Sequence, residues 1–526
     1  MNTTTLPTGE VLPVSPPAYA RRWKTLVVLS LSLLIIGLDN TVLNVALPSL
    51  RDAFDASTST LQWIVDSYLL VFACLLLTMG TLGDRFGRKL ALQIGLALFG
   101  GASMMVLLVG SSEQLIAVRS VMGIGGALIM PATLSIISNL FPREERGKAV
   151  GIWAAMAAVG IGLGPFLGGL LLEYFDWSSV FLINVPVAGL AFVLAFVLVP
   201  ETRDPKPGAF DVGGVLLSVA ALGTLVYGLI EAPERGWTDP VNVACFCAAA
   251  VFAWLFVAWE RRVKEPMLNL AFFENPRFSV ASGALGVASF ALFGGIFATT
   301  QYLQDAHGYS ALQAGAAMLP ITLGLVIGSG SSTKILPRLG TSRVATAGLL
   351  GLATVFALSL LWRAHMPYWP IGLWFFGMAL SMGWIMAPAT GSVLGSVPPE
   401  KSGVASAMND VTRQVGGALG TAVIGSVIAS LYAARVHDHA AGLPDSARSA
   451  VEGSVGQANA VAAQLPASEG ARLADAAASA FTDALGMGLA IGAAAALVAA
   501  IAVRRWLPAH AADEPAETLG AAEQAA

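Results

Sequence analysis

The chain has 526 residues, of which 56% are hydrophobic and 12% charged, whereas a soluble chain carries about a quarter charged residues. A mean hydropathy of +0.72 excludes a soluble globular domain, and a scattered net charge of −4 with no basic stripe excludes nucleic-acid binding. Cys74, Cys245 and Cys247 all fall inside apolar runs, where no oxidising loop pairs them, so no disulfide is expected.

Arg21, Arg22 and Lys24 precede the first apolar run in the manner of a signal peptide. That run extends from 25 to 47 and contains Asp39 and Asn44, so it is too long and too polar for a cleaved segment and reads as a retained span. Apolar runs of this length cross a hydrocarbon core of about 30 Å as helices. They place spans at 25–47, 61–81, 89–110, 115–139, 148–172, 179–199, 212–231, 240–259, 278–302, 311–331, 343–362, 369–394, 404–430 and 482–502. Fourteen spans put both termini on one side. Arg21, Arg22, Lys24, Arg85, Arg88, Lys89, Arg143, Arg146, Lys148, Arg261, Arg262, Lys264, Lys334, Arg338, Arg343, Arg504 and Arg505 gather on that side. By the positive-inside rule both termini are cytoplasmic and the protein is a multi-pass component of the plasma (inner) membrane.

The organisation expected is a cytoplasmic tail over 1–24, a six-helix half over 25–199, two inserted spans over 212–259, a second six-helix half over 278–502 and a cytoplasmic tail over 503–526. Within the second half an Ala-rich loop over 431–480 lies outside as a cap or a flexible connection. Its His437 and His439 lack the further ligands that a metal needs. The Pro/Thr-rich start, 1–20, and the Ala/Glu-rich end, 506–526, have the composition of disordered tails.

The halves carry traces of a repeat. Gly80-Thr-Leu-Gly-Asp84-Arg85-Phe-Gly87-Arg88-Lys89 follows span 2, and a worn copy, Leu336-Pro337-Arg338-Leu339-Gly340, follows span 10; spans 5 and 13, eight apart, are both striped with glycine. Two six-helix halves around a central cavity form one of the repeat architectures of alternating-access transporters.

Ionisable side chains at membrane depth cost several kcal/mol (about 2.5–3.5 on insertion scales) and mark function by default. Asp39 lies mid-span, with Asn40 and Asn44 on a polar face beside it; a carboxyl poised between burial and a nearby cation loads and releases a proton. The alternative is a permanent structural ion pair. Arg119, early in span 4, stays charged and so modulates Asp39 rather than carrying the proton itself. Asp66 in span 2 is either cavity-lining or interfacial. Asp410 and Arg413 in span 13 stand three apart, where they either neutralise each other or contribute to a substrate cavity. Gly160, Gly164, Gly168 and Gly169 make a small-residue face on span 5, and Pro165 permits a kink, so this helix reads as a tightly packed seal or hinge. Gly80, Asp84, Arg85, Gly87 and Arg88 read as a conformational latch between helix ends. No G-x-x-x-x-G-K-[ST] pattern occurs, so ATP does not drive the chain directly. A proton crossing about 100 mV supplies about 2.3 kcal/mol, enough for a gradient of roughly fifty-fold.

The stretches Leu38 to Pro48, Gly80 to Lys89, Arg119 to Gly126, Gly160 to Gly169, Asn184-Val185-Pro186, Gln304 to Pro320 and Ser406 to Gly420 together resemble the 14-span drug:proton antiporters of the major facilitator superfamily. The resemblance covers nearly the whole chain. It implies an all-α polytopic membrane fold of two six-helix halves plus two inserted central helices. It also implies proton coupling through Asp39 and Arg119, an antiporter helix at Gly164 and Pro165, and a latch at Asp84 and Arg88. The expected function is proton-coupled export of small hydrophobic drugs or natural products, without enzymatic activity or cofactor, by a chain acting as a monomer. Export of one dedicated metabolite, peptide or lipid is the alternative, with proton-symport uptake and a non-transporting sensor behind it. The sequence departs from the family pattern at Ser178 and Ser179, where an arginine is usual, and at Pro337, which stands where the first loop copy has Asp84. Phe290, Phe293, Phe297, Met318, Trp374, Phe375, Met378 and Trp384 are apolar candidates for a cavity in spans 9 to 12.

Overall fold

A computed structural model describes residues 4–5, 11–12, 14–203, 211–264, 266–268, 270–396 and 402–507. Fourteen helices are long and apolar enough to cross a membrane, and we number them in chain order. The first half comprises α1 (Arg22–Phe54), α2 (Thr58–Phe86), α3 (Arg88–Leu108), α4 (Ser112–Leu140), α5 (Lys148–Tyr174) and α6 (Ser179–Leu198). The insert is α7 (Val212–Arg235) and α8 (Pro240–Glu260). The second half comprises α9 (Pro276–Ala306), α10 (Ala311–Leu339), α11 (Thr341–Leu361), α12 (Tyr368–Val393), α13 (Ala407–Ala440) and α14 (Ala467–Trp506). The chain is a multi-pass membrane protein. Helices are the solution lipid demands, because a helix satisfies its backbone donors and acceptors within itself. The face on which α1 begins and α14 ends is called terminal below, and the opposite face distal.

Local chemistry sets the helix starts. Ser57 and Ser111 accept hydrogen bonds from the N–H groups of Thr60 and Gln114, and Ser310 forms a reciprocal capping box with Gln313. Asp239 caps α8 with Pro240 in its first turn. Proline also explains the break at Ile183 in α6, because Pro186 cannot donate to the carbonyl of Leu182.

The two halves pack alike. In the first, α1 lies on α5, α2 on α4, α3 on α4 and α6, and α1 on α6; the second repeats every pair eight helices on, as α9 on α13, α10 on α12, α11 on α12 and α14, and α9 on α14. Each half has its own apolar core, and only a few residues, such as Val45, Leu77 and Ile161 of the first half, belong to the core of the second. The halves meet reciprocally, α5 against α10 and α2 against α13, while α7 rests on both α2 and α13 through Val226, Ile230 and Ala422. Lipid is as apolar as leucine, so backbones held close by small residues supply the packing energy here. Gly160, Gly164 and Gly168 press on Leu34, Leu38, Thr41 and Val42 of α1, and Gly416 and Gly420 press on Gly286 and Phe290 of α9.

Three expectations change. Phe293, Phe297, Met318, Trp374, Phe375 and Met378 are buried in the apolar cores, and only Phe290 and Trp384 are half-buried, so this set packs helices rather than lining an open cavity. The region 431–480 is not a long loop: α13 continues to Ala440, helices Asp445–Gly453 and Val455–Ala462 form a compact cap, and α14 begins at Ala467. Alanine explains this, since it costs least to hold in a helix. The N-terminal tail contains a short helix, Pro16–Ala20, and a two-residue antiparallel pairing of Thr4–Thr5 with Val11–Leu12; the expected tail from 508 onward lies outside the described residues.

Close approach makes a sharp expectation. Gly160→Val and Gly420→Val, whose new atoms would strike the backbones of α1 and α9, are expected to cost about 1–3 kcal/mol or more. Gly101→Ala and Gly223→Ala, which would meet no atom, are expected to leave stability unchanged or to raise it by up to about 1 kcal/mol. The yield of monodisperse protein after graded heating in detergent reads the difference.

Candidate functional site

Asp39 is 1% exposed, and both of its oxygens are engaged. Arg119 Nη1 donates to Oδ2 at 2.5 Å, and Asn184 Nδ2 donates to Oδ1 at 3.2 Å. The guanidinium is held in turn by α2 and α6. Its Nε donates to the carbonyl of Ile64 at 3.1 Å, and its carbon lies 4.4 Å from the centre of the Tyr68 ring and 6.0 Å from that of Phe181. Four helices, α1, α2, α4 and α6, therefore converge on one buried ion pair. Such a pair is tolerated only when desolvation is offset by close geometry and by further hydrogen bonds, and cation–π contact adds to the offset. Asn184, Tyr68 and Phe181 carry no charge, so nothing in their local pattern distinguished them as partners of the pair.

The rest of the polar set does not join this cluster. Asn44 is buried and turns its amide back to the carbonyls of Asn40 and Thr41 at 3.5 and 3.4 Å, while the side-chain oxygen of Asn40 has no partner. Asp66 is fully buried, and neither carboxyl oxygen has a hydrogen-bond partner. It shares a helix face with Trp63 and Leu70, which pack toward α7 and α13. An ionised carboxylate in that position would be uncompensated. Asp410 is buried and Arg413 half-buried, 3.6 Å apart on α13.

The glycine face of α5 has two sides. Gly160, Gly164 and Gly168 meet α1, whereas Gly162 meets Thr322, Gly169 meets Ala311 and the carbonyl of Pro165 meets Gly315, all on α10 of the other half. Pro165 has no N–H to offer the carbonyl of Ile161, and Thr41 of α1 supplies the missing donor at 3.0 Å. The helix runs on through the proline, with this inter-helix bond in place of the one the proline cannot make.

Gly80 packs beside Pro131 of α4. Beyond it, Asp84 accepts from Arg88 Nε at 2.6 Å, and Gly87 turns the chain at φ +125°, a conformation side chains avoid, directly against Glu201. The Arg88 N–H donates to the Thr202 carbonyl at 3.0 Å, whereas Arg85 faces the Phe86 ring. The latch set thus ties α2 and α3 to the end of α6, within one half. On the same face Arg22 bonds Glu145 at 2.7 Å and holds its carboxyl below the usual carboxylate range.

The distal face is closed by groups the sequence did not single out. Arg51, ending α1, makes a two-pronged bond to Asp305, ending α9, at 2.8 and 2.7 Å, with both side chains only 7% exposed. Gln304 Nε2 donates to the Val45 carbonyl at 2.9 Å and Gln62 Nε2 to that of Thr421 at 3.2 Å. The cap covers this seam: Gly456 lies on the Arg51 guanidinium, Thr58 donates to the Gly453 carbonyl, and Asn459 donates to that of Asp305. His437, set aside as a metal ligand, bonds Glu452 of the cap at 2.7 Å. Among the described residues, every hydrogen bond between the two halves lies at this distal end.

Comparison with known proteins gives a consistent picture. A model of the Major Facilitator Superfamily matches residues 29–421. The multidrug efflux pump LfrA of Mycolicibacterium smegmatis is 37% identical over 501 residues, covering 94% of this chain and 99% of that protein. The tetracenomycin C resistance and export protein of Streptomyces glaucescens is 34% identical over 496 residues, covering 91% and 90%. Among solved structures, a bacterial homologue of the human lysosomal transporter Spinster, inward-facing and unoccupied, aligns with a TM-score of 0.63 at 19% identity, covering 94% of this chain and 100% of that one. The inward-open xylose transporter XylE of E. coli aligns at 0.58 and 17%, covering 96% and 99%.

Removing one partner of the buried pair leaves the other charge unpaired. Arg119→Gln is expected to lower stability by about 3–5 kcal/mol, and the double variant Asp39→Asn/Arg119→Gln to recover most of that loss. Thermal unfolding of the purified variants measures both; a double variant no more stable than Arg119→Gln would show that the pair is not what holds these helices.

Proposed function

Because the chain belongs to the major facilitator superfamily, a family of transporters rather than enzymes, we propose that it exports small, largely hydrophobic drugs or natural products in exchange for protons. The observation that carries the coupling is the buried Asp39, bonded at one oxygen by Arg119 and at the other by Asn184. A proton arriving on Asp39 cancels the charge that holds Arg119, and the guanidinium keeps its bond to Ile64 and its place on the Tyr68 ring. One bond linking α1 to α4 is then weakened while the others persist, which is how a local charge change biases a bistable bundle. The full similarity to named efflux and resistance proteins supports the drug class of substrate.

The clustering of Arg and Lys on the terminal face supports cytoplasmic termini. On that orientation the Arg51–Asp305 pair and the cap close the protein to the outside. Export requires this distal seam to part, and α5 and α10 to turn about their glycine contacts at Gly162, Gly169 and Gly315. Asp66, buried without a partner on the face of α2 that also carries Trp63 and Leu70, holds a proton in this state and gives it up when the seam opens.

Dye efflux from energised vesicles tests the reading. Asp39→Asn at matched protein level, and collapse of the proton gradient in the unaltered protein, are each expected to abolish efflux while dye binding persists. Efflux that survives both would mean that Asp39 is structural and that protons are not the driving ion.

Loosening the distal seam gives a second test of the cycle. Arg51→Ala is expected to raise labelling of a cysteine placed at Gln62 by a membrane-impermeant thiol reagent applied outside, several-fold over the same cysteine with Arg51 present. Unchanged labelling would show that the ion pair does not hold the closed state.

A further inference from the structure

The insert carries none of the groups assigned to the cycle above, yet its terminal end holds two carboxyl groups face to face. Asp211 caps α7: its Oδ1 accepts from the Gly214 N–H at 2.9 Å and from the Trp259 indole N–H at 2.8 Å. Glu260 ends α8, is 3% exposed, and accepts at Oε2 from the N–H of Leu268 at 2.8 Å. The remaining oxygens, Asp211 Oδ2 and Glu260 Oε1, are buried and have no donor. Both converge on Gly214, where a methyl group would strike the two at once, and the Trp259 ring covers Gly213 in the same way. Two successive glycines thus let the carboxyls approach.

Among the described residues, no cation is paired with either of them. The groups acting on Glu260 are Asp211 of α7 and the Leu268 backbone of the linker, and Arg261, Arg262 and Lys264, which follow it, are exposed. Two carboxylates in contact cannot both stay ionised without a cation between them, whereas one proton converts the repulsion into an O–H···O bond. We propose that Asp211 and Glu260 share a single proton and form a further protonation site, separate from Asp39 and Asp66, that clasps the linker joining the insert to the second half.

The linker is what the clasp controls. Leu268 is fixed by Glu260, and Met267 beside it accepts from the Thr78 hydroxyl of α2 at 3.4 Å. A shared proton therefore keeps the linker against the first half. As pH on the terminal side rises the proton is lost, the carboxylates separate, Glu260 releases the Leu268 N–H, and the linker lifts from α2. The site reads the pH of that compartment independently of substrate.

Hydrogen exchange of the full chain in lipid nanodiscs, followed by mass spectrometry on peptides covering Met267 and Leu268, tests this. Wild type, Glu260→Gln, Asp211→Asn and Glu260→Ala are compared at each pH, so that the intrinsic pH dependence of exchange cancels. Glu260→Gln and Asp211→Asn each place a permanent amide donor between the oxygens and are expected to stay protected throughout. Wild type is expected to match them at acid pH and to exchange about tenfold faster at alkaline pH, the scale of one lost hydrogen bond, while Glu260→Ala exchanges fast at every pH. Wild type and both amide variants running parallel at all pH values would overturn the shared proton. So would a response that a chelator abolishes and calcium restores, which would make the pair a metal site. Asp39→Asn is expected to lose efflux and keep the linker response; loss of both would assign the pH effect to Asp39 instead.

Discussion

Everything at the buried ion pair depends on how closely α1 and α5 approach. Gly37 meets Ala157, and Gly160, Gly164 and Gly168 meet α1 backbone and side chains in succession, so the two helices run together over about three turns. That contact fixes the rotation of α1. It lets Thr41 reach the Ile161 carbonyl that Pro165 leaves without a donor, and it turns Asp39 away from α5 toward α4 and α6. The same device recurs between α9 and α13, where Gly286, Gly294, Gly416 and Gly420 bring the backbones together. Without a hydrophobic force between helices in lipid, this close packing is what gives each half a single arrangement.

Three carboxyls buried among the spans of the two halves are handled in three different ways. Asp39 is compensated by a cation and an amide from its own half. Asp305 is compensated by Arg51 from the opposite half, so its compensation holds only while the distal seam is closed. Asp66 has no compensation. The first arrangement belongs to one rigid unit, whereas the second ties two units together, and a difference in how each carboxyl is satisfied becomes a difference in what moves when it changes.

Much of this was legible in the sequence because membrane spans are written in contiguous runs. The fourteen helices, the repeat and the pairing of Asp39 with Arg119 follow from hydropathy and from the rarity of charge at membrane depth. Chain ends of spans were harder. Alanine prolongs α13 to Ala440 and starts α14 at Ala467, where polarity marked a loop but helix propensity persisted. The Arg51–Asp305 bond joins residues 254 positions apart, each beside a helix end where a charge is unremarkable. Asn184 and the Asp211–Glu260 contact were invisible for a related reason: their roles come from which atoms are left without partners, and only packing decides that. The latch set met in part, since Asp84 and Arg88 pair as their spacing suggests, but its anchor, Thr202, lies beyond the motif.

The insert also stands apart in what surrounds it. α7 and α8 are the least buried of the fourteen helices, with 22% and 11% of their apolar windows inside the protein. With 24 and 21 residues at about 1.5 Å each, they fit a hydrocarbon layer of about 30 Å with little to spare. Lipid tails are their main neighbours. A thinner or thicker bilayer would therefore be felt first by this hairpin, which can tilt to follow the membrane while the two halves remain braced against each other. Through Trp63 and Trp237, which bond Glu231 to α2 and Ser430 to the insert, such a tilt reaches both halves at the distal seam, and membrane thickness becomes a mechanical input to the transporter.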